Sequence, residues 1–130
     1  MAKVLGLGGL FFKSADGASL RKWYTRVLGI EFADWGGTVF TPDAAMAKPG
    51  AGTVFSPFKA DTDYFAPSDN DYMFNLMVDD LDGVLARCNA EGVSAGDVLE
   101  EFNGRFAHIM DPEGRKIELW EPKAVTDTGA

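Results

Sequence analysis

Apolar and polar residues alternate on both sides of the Asp-Pro-Glu-Gly segment at residues 111–114. The proline presets φ, and Gly114 can adopt the left-handed conformation that closes a turn. A three-residue loop with a glycine bulge pairs Asp111 with Arg115, and this pairing fixes which residues face each other along the two strands. The pattern therefore predicts a β-hairpin over residues 106–120.

The two faces of this predicted hairpin differ, because successive side chains of a strand point to opposite sides. One face is wholly apolar and is predicted to face the core: Ala107, Ile109, Ile117 and Leu119. The other face mixes polar groups with large side chains: Phe106, His108, Met110, Lys116, Glu118 and Trp120. Counting across the ladder places His108 directly opposite Glu118. We interpret this mixed face as the wall of a cavity, since it suits neither a dry core nor an ordinary solvated surface.

The order of elements occurs twice, about 64 residues apart. Residues 7–13 are predicted to form a strand that precedes a helix over residues 16–29. Residues 72–78 are predicted as the corresponding strand, followed by a helix over residues 80–92. Each helix has an aspartate as its predicted N-cap and a glycine at its end. Such a recurrence indicates an internal structural repeat.

Two β-α-β-β-β modules account for the whole pattern, and the fold class is predicted to be α+β. Further strands are predicted at Thr38–Thr41, Thr53–Phe58 and Asp97–Phe102. Within one domain of residues 1–130, module 1 spans about 4–58, a linker 59–71, module 2 about 72–121 and a tail 122–130. One helix covers only one face of a four-stranded sheet. Two modules side by side, with their helices outside, are predicted to enclose a trough walled by the mixed face.

Composition narrows the function classes. The chain has 130 residues, 46% of them hydrophobic, which fits one domain. Its net charge is −8, and it has no basic run that would bind a nucleic acid or an anionic lipid surface. A single cysteine excludes an internal disulfide and fits a reducing cytoplasm. No apolar run approaches the length of a membrane span.

His108 and Glu118 are the sharpest candidates for chemistry. Directly opposed cross-strand residues have Cβ atoms about 4.5–5.5 Å apart, so these two side chains can share a hydrogen bond. The pair could transfer protons during catalysis. Alternatively, it could have only a structural or ligand-positioning role, with the Glu118 carboxylate neutralised by His108 or Lys116. Metal binding through both side chains and water is a third interpretation.

Large aromatic side chains beside a few polar groups are typical of a small-molecule pocket. The residues predicted to line such a pocket are Phe106, Trp120, Phe11, Met73 and Asn75. Plain packing remains the alternative for the aromatic and methionine side chains. Tyr64 and Phe65, two aromatic residues in the polar linker, are predicted to pack across a cavity mouth or a subunit contact.

Residues 9–28, residues 77–93 and the DPEG hairpin together resemble the vicinal-oxygen-chelate (VOC) superfamily. That superfamily includes glyoxalase I, bleomycin-resistance proteins and extradiol dioxygenases. The resemblance covers nearly the whole chain and implies paired βαβββ modules around a U-shaped site. It also implies a homodimer.

Metal-binding members of that superfamily place one ligand, usually His or Glu, at each of four strand positions. The resemblance carries these positions onto Gly9, Val54 or Phe55, Met73 and Glu118. Only Glu118 suits a hard or borderline divalent ion. We therefore expect neither a metal nor another cofactor, and a divalent ion at Glu118 is disfavoured.

Three functions follow as hypotheses. The first is a cytoplasmic protein that binds a small aromatic or amphipathic molecule in the trough. The second is a lyase or isomerase, similar to lactoylglutathione lyase, that uses Glu118 and His108, with an atypical metal site as one variant. The third is a purely structural or interaction module. The sequence leaves open which ligand is bound, whether catalysis occurs, and whether one chain completes the trough.

Overall fold

The computed structural model describes residues 1–125 and has an α+β architecture, as predicted. Its helices and strands, in chain order, are α1 (Gly17–Leu28), α2 (Pro42–Met46), β1 (Phe74–Met77), α3 (Leu81–Ala90), β2 (Leu99–Glu101), β3 (Gly104–Met110) and β4 (Lys116–Pro122). The strands form one mixed sheet in the order β1-β4-β3-β2. Strand β1 runs parallel to β4, whereas β3 is antiparallel to both β2 and β4.

The predicted hairpin is confirmed in its exact register. His108 pairs with Glu118 and Phe106 with Trp120, as counted from the turn. The backbone N–H of Asp111 donates to the carbonyl of Arg115 over 2.9 Å. Gly114 has a φ of +85°, the left-handed conformation that the turn requires.

The core lies between this sheet and the two longer helices, α1 and α3. The predicted apolar face of the hairpin is buried, and Ile117, Leu119 and Ala107 have no solvent exposure. Helix α1 contributes a buried stripe of Leu20, Trp23, Tyr24 and Val27. Helix α3 contributes Leu81 and Cys88. The spacing of these apolar positions puts α1 and α3 against the same, apolar face of the sheet.

The predicted helix ends are also confirmed. Asp16 accepts a hydrogen bond from the backbone N–H of Ser19, and Asp80 accepts one from Gly83, both over 3.1 Å. Gly29 ends α1 with a φ of +72°. Helix α3 ends at Ala90, and Gly92 follows with a φ of +77°.

A buried ion pair holds the hairpin turn to the rest of the chain. Asp111 and Arg115 are 4% and 6% exposed, and Oδ2 of Asp111 lies 3.1 Å from Nη1 of Arg115. The hydroxyl of Tyr24 in α1 donates to the same oxygen over 2.8 Å. Arg115 also donates to the hydroxyl of Tyr72 and to the backbone carbonyl of Lys13. The turn therefore connects the sheet, helix α1 and the N-terminal segment through one set of charged hydrogen bonds.

The strands predicted for module 1 are not confirmed. Residues 1–73 contain no strand, and α2 forms where an irregular loop is expected. Most of the large exposed apolar side chains lie here, including Leu10, Phe11, Val39 and Phe55. Alternation of side chains predicts a strand, but the strand forms only where a neighbour completes the ladder of hydrogen bonds.

Several other expectations stay predictions. The division into two modules and the homodimer are untested, and sedimentation would measure the oligomeric state.

The predicted strands at 72–78 and 97–102 are confirmed at their centres, as β1 and β2. Of the predicted tail, residues 126–130 lie outside the described part of the chain. Among residues 1–125, no helix is long and apolar enough to cross a membrane.

We expect Asp111→Ala to lower the free energy of unfolding by about 3–5 kcal/mol, because the substitution removes the buried carboxylate that accepts hydrogen bonds from Tyr24 and Arg115. Urea unfolding at neutral pH measures this change. The matched control is Asp79→Ala, since Asp79 is exposed and its side chain makes no hydrogen bond within residues 1–125. Equal losses for the two variants would show that the buried pair does not hold the turn.

Candidate functional site

Two strand pairings bring polar side chains together on the mixed face of the sheet. The antiparallel register of β3 and β4 places His108 beside Glu118. The parallel register of β1 and β4 places Asn75 beside the same glutamate, from the other side. Glu118 therefore lies in the central strand of three, with a polar neighbour on each flank.

Every oxygen of the Glu118 carboxylate accepts a hydrogen bond. The amide nitrogen of Asn75 donates to Oε1 over 2.8 Å. Nε2 of His108 lies 2.8 Å from Oε2, and a carboxylate acceptor selects the tautomer that carries the proton on Nε2. The hydroxyl of Tyr64 donates to the same Oε2 over 2.5 Å. We call these four residues the polar cluster.

Tyr64 reaches this cluster from the predicted linker, where an aromatic residue was expected to pack across a cavity mouth. Its hydroxyl also lies 3.3 Å from Nε2 of His108, and the two rings meet edge to face at 5.5 Å. The ammonium of Lys116 donates to the backbone carbonyl of Tyr64 and lies 4.9 Å from the centre of its ring. Burial and the neighbouring Glu118 carboxylate raise the pKa of the Tyr64 phenol, because both disfavour the phenolate.

A cavity of about 510 Å³ adjoins the polar cluster. It lies between the linker, the loop after α3 and the end of the hairpin, and its lining residues are Pro67, Gly92, Val93, Ser94, Ala95, Gly96, His108, Ile109, Met110 and Lys116. Its volume falls within the range of about 300–1,000 Å³ that holds small molecules in proteins. His108 and Lys116 belong both to the cavity wall and to the surroundings of Tyr64.

The family model for the glyoxalase-like domain matches residues 9–120. The chain belongs to this family. The predicted membership of the VOC superfamily is thereby confirmed. No curated protein sequence matches the chain significantly.

Two solved structures from Streptomyces sp. CB03234 are similar to parts of this glyoxalase-like chain. TnmS3, an antibiotic-binding protein, is 34% identical over 38% of this chain and 41% of its own, with a TM-score of 0.37. A glyoxalase/bleomycin resistance protein is 33% identical over 37% of this chain and 42% of its own, with a TM-score of 0.35. The chain thus spans about two fifths of the length of each, and the family assignment rests on the family model.

The residues at the superfamily's metal positions do not fit a divalent ion in this glyoxalase-like protein. Glu118 is the sole oxygen or nitrogen ligand that the resemblance supplies, and its carboxylate accepts hydrogen bonds from three neighbours. Within residues 1–125, no three His, Cys, Asp or Glu residues lie close enough to hold a metal together. An ion at Glu118 would have to displace at least one of these donors, and it would find one imidazole as its second ligand.

The other predicted site residues lie in different surroundings. Phe106 and Trp120 stack with their ring centres 6.0 Å apart. Trp120 is 5% exposed, and its indole donates to the backbone carbonyl of Asn103, so it packs at the far end of the mixed face. Met73 is half-buried, whereas Phe11 is 92% exposed and lies outside the polar cluster. Their roles in ligand binding stay predictions.

The sequence pattern predicts Lys116 on the mixed face but does not include it among the site residues. It predicts that Tyr64 packs across a cavity mouth or a subunit contact but does not predict which residue it contacts. The signal for Tyr64 was its occurrence as an aromatic residue in a polar segment. No sequence pattern identified Glu118 as its acceptor, because the contact spans 54 positions and depends on the path of an irregular segment.

We expect the phenol of Tyr64 to ionise above its ordinary pKa of 10.0 in the folded protein. The difference in absorbance near 295 nm between the wild type and Tyr64→Phe isolates this group during an alkaline titration. In strong denaturant the same difference should return to a midpoint of about 10. A folded-state midpoint at or below the denatured one would show that the phenol does not meet the carboxylate.

Proposed function

We propose that this glyoxalase-like protein binds a small aromatic or amphipathic molecule, without a metal, in the cavity beside the polar cluster. One observation carries the proposal. The carboxylate of Glu118, at the superfamily's remaining ligand position, is engaged by organic hydrogen-bond donors, and one of them, His108, lines a cavity of small-molecule size.

The wall of the cavity supports the same function. Val93, Ala95 and Met110 give it an apolar lining. An apolar lining with few polar groups binds by removing hydrophobic surface from water, and the polar groups then orient the ligand. A flexible methionine adapts to ligands of different shape.

His108 and Lys116 are the groups that would orient the ligand. Nε2 of His108 is engaged by Glu118, whereas Nδ1 makes no hydrogen bond within residues 1–125. In the selected tautomer Nδ1 is an acceptor, so it suits a ligand hydroxyl or amide N–H. The ammonium of Lys116 has three donors, of which one is directed to the carbonyl of Tyr64. A ligand with a donor and an acceptor at one end matches this pair.

We expect Met110→Trp to weaken ligand binding at least about tenfold, because an indole at this position fills the cavity that the ligand needs. Calorimetry against a panel of aromatic and amphipathic molecules finds a ligand for the wild type and then measures the loss. The matched control is Met77→Trp, since Met77 lies on the same face but in β1, outside the cavity.

Two results would contradict the proposal. The first is a folded wild type that binds no member of the panel. The second is a ligand whose binding is lost in Met77→Trp and unchanged in Met110→Trp, which would place it at the other end of the sheet.

A lyase or isomerase is the second candidate, and the contact of 2.8 Å between Nε2 of His108 and Oε2 of Glu118 favours it. A carboxylate can take a proton from a carbon next to a carbonyl, while a neighbouring imidazole returns one. Such chemistry requires the substrate to reach Glu118, so the hydroxyl of Tyr64 would first have to leave Oε2.

For the enzymatic candidate we expect Glu118→Gln to lower turnover by about 10²–10⁴, because an amide cannot act as the base. The hemithioacetal of methylglyoxal and glutathione is the substrate for the assay, and circular dichroism confirms the fold of the variant. Tyr64→Phe is the matched comparison, since it removes a hydrogen bond to Glu118 and keeps the carboxylate. Equal turnover in wild type and Glu118→Gln would remove the catalytic role.

A further inference from the structure

Residues 59–71, which we call the strap, cross the mixed face and bring Tyr64 to the polar cluster. We propose that the phenol of Tyr64 occupies the position that an aromatic hydroxyl of the ligand takes in the complex. The ligand class is then a phenol, and the strap releases Tyr64 when that ligand binds. This inference rests on the proposed small-molecule binding and names the ligand's chemistry.

Three of the four members of the polar cluster belong to the sheet. Asn75 lies in β1, His108 in β3 and Glu118 in β4, and the paired ladders fix their spacing. Tyr64 alone comes from a segment without helix or strand. The acceptor and its flanking groups therefore keep their positions when the strap moves, and only the phenol leaves.

The strap is held to the sheet at one residue. Among residues 1–125, the hydrogen bonds from the strap to the sheet are made by Tyr64, through its hydroxyl and its backbone carbonyl. Its remaining bonds are internal turns, such as those from Thr62 to Lys59 and from Ala66 to Asp63. No strap residue is buried. Segments with few buried contacts open at low free-energy cost, so loss of the Tyr64 contacts frees the strap.

The sheet offers a phenol three complementary contacts. The carboxylate of Glu118 accepts from the hydroxyl. The ammonium of Lys116 lies over the face of the ring at 4.9 Å, and the imidazole of His108 meets it edge to face at 5.5 Å. A cation over the electron-rich face and an edge-to-face partner are both favourable for an aromatic ring. All three groups stand on β3 or β4 and remain for an incoming phenol.

The hydroxyl decides which ligands can replace Tyr64. An aromatic molecule without a hydroxyl would displace the phenol and leave Oε2 with one donor fewer, in a site where Glu118 is 8% exposed. Loss of one of the three donors to a buried carboxylate costs free energy, so the site rejects such a ligand more strongly than a methyl group alone could explain. A phenol of the ligand would instead donate a hydrogen bond to Oε2 of Glu118 in place of the displaced Tyr64 hydroxyl.

The test uses 4-methylphenol, which is the side chain of tyrosine as a free molecule, and toluene as its counterpart without the hydroxyl. Tyr64→Ala vacates the position. We expect this variant to bind 4-methylphenol at least about tenfold more tightly than toluene, and about tenfold more tightly than the wild type does. Calorimetry measures the affinities, and the NMR signals of the His108 ring should shift with 4-methylphenol.

Tyr72→Ala is the matched control. Tyr72 also has a phenol engaged by a charged group, since its hydroxyl accepts from Arg115, but it lies outside the polar cluster. This variant should bind 4-methylphenol no more tightly than the wild type. Tyr64→Phe keeps the ring and loses the hydroxyl that competes for Glu118, so it should bind 4-methylphenol more tightly than the wild type. If Tyr64→Ala does not fold, Tyr64→Phe provides the test of the inference.

The inference is overturned if folded Tyr64→Ala binds 4-methylphenol and toluene equally, or binds neither, or if Tyr64→Phe gains no affinity where it alone folds. A panel ligand that still binds the wild type in a Met110-dependent way would then leave the proposed function standing. Absence of any panel ligand would instead remove the proposed function, whatever the phenol experiment shows.

Discussion

The buried ion pair between Asp111 and Arg115 is the contact on which the remaining structure depends. It closes the hairpin turn, and the hydroxyl of Tyr24 ties it to helix α1. Because the turn is fixed, the pairing of β3 with β4 is fixed as well. A shift of one residue would turn every side chain of the shifted strand to the other face. His108 and Glu118 would then no longer meet, and the apolar face would lose its place against the helices. Both the core and the candidate site therefore follow from one turn.

The strand register places hydrogen-bond donors, rather than metal ligands, beside Glu118. Glu118 stands where the superfamily resemblance expects a metal ligand, but its neighbours in the two adjacent strands are Asn75 and His108, each a hydrogen-bond donor. With Tyr64 as the third donor, the carboxylate is satisfied by organic groups. A buried carboxylate whose oxygens already accept hydrogen bonds can bind a new donor when that donor replaces one of the existing donors. A cation would need further ligands that the surrounding residues do not supply. The chemistry of the site thus supports the proposed recognition of an organic hydroxyl.

The hairpin and the two longer helices were predictable from sequence because their signals are local. The Asp-Pro-Glu-Gly turn fixes its own register, and the capping aspartates Asp16 and Asp80 mark both helix starts. The structure of the predicted first-half strands was not, because alternation along residues 7–13 specifies faces without supplying a partner strand. The pair of His108 and Glu118 follows from counting along a hairpin. The contact from Tyr64 does not, since it depends on how an irregular segment crosses the sheet, and no periodic pattern encodes that path.

The hydrogen bond from the phenol of Tyr64 to the carboxylate of Glu118 joins the strap to the sheet. A double-mutant cycle measures this most directly, with unfolding free energies for the wild type, Tyr64→Phe, Glu118→Gln and the double variant. We expect the effects of the two substitutions on the unfolding free energy to be non-additive, with a coupling of about 1 kcal/mol or more for a hydrogen bond to a charged group. Additive losses, with a coupling near zero, would contradict it.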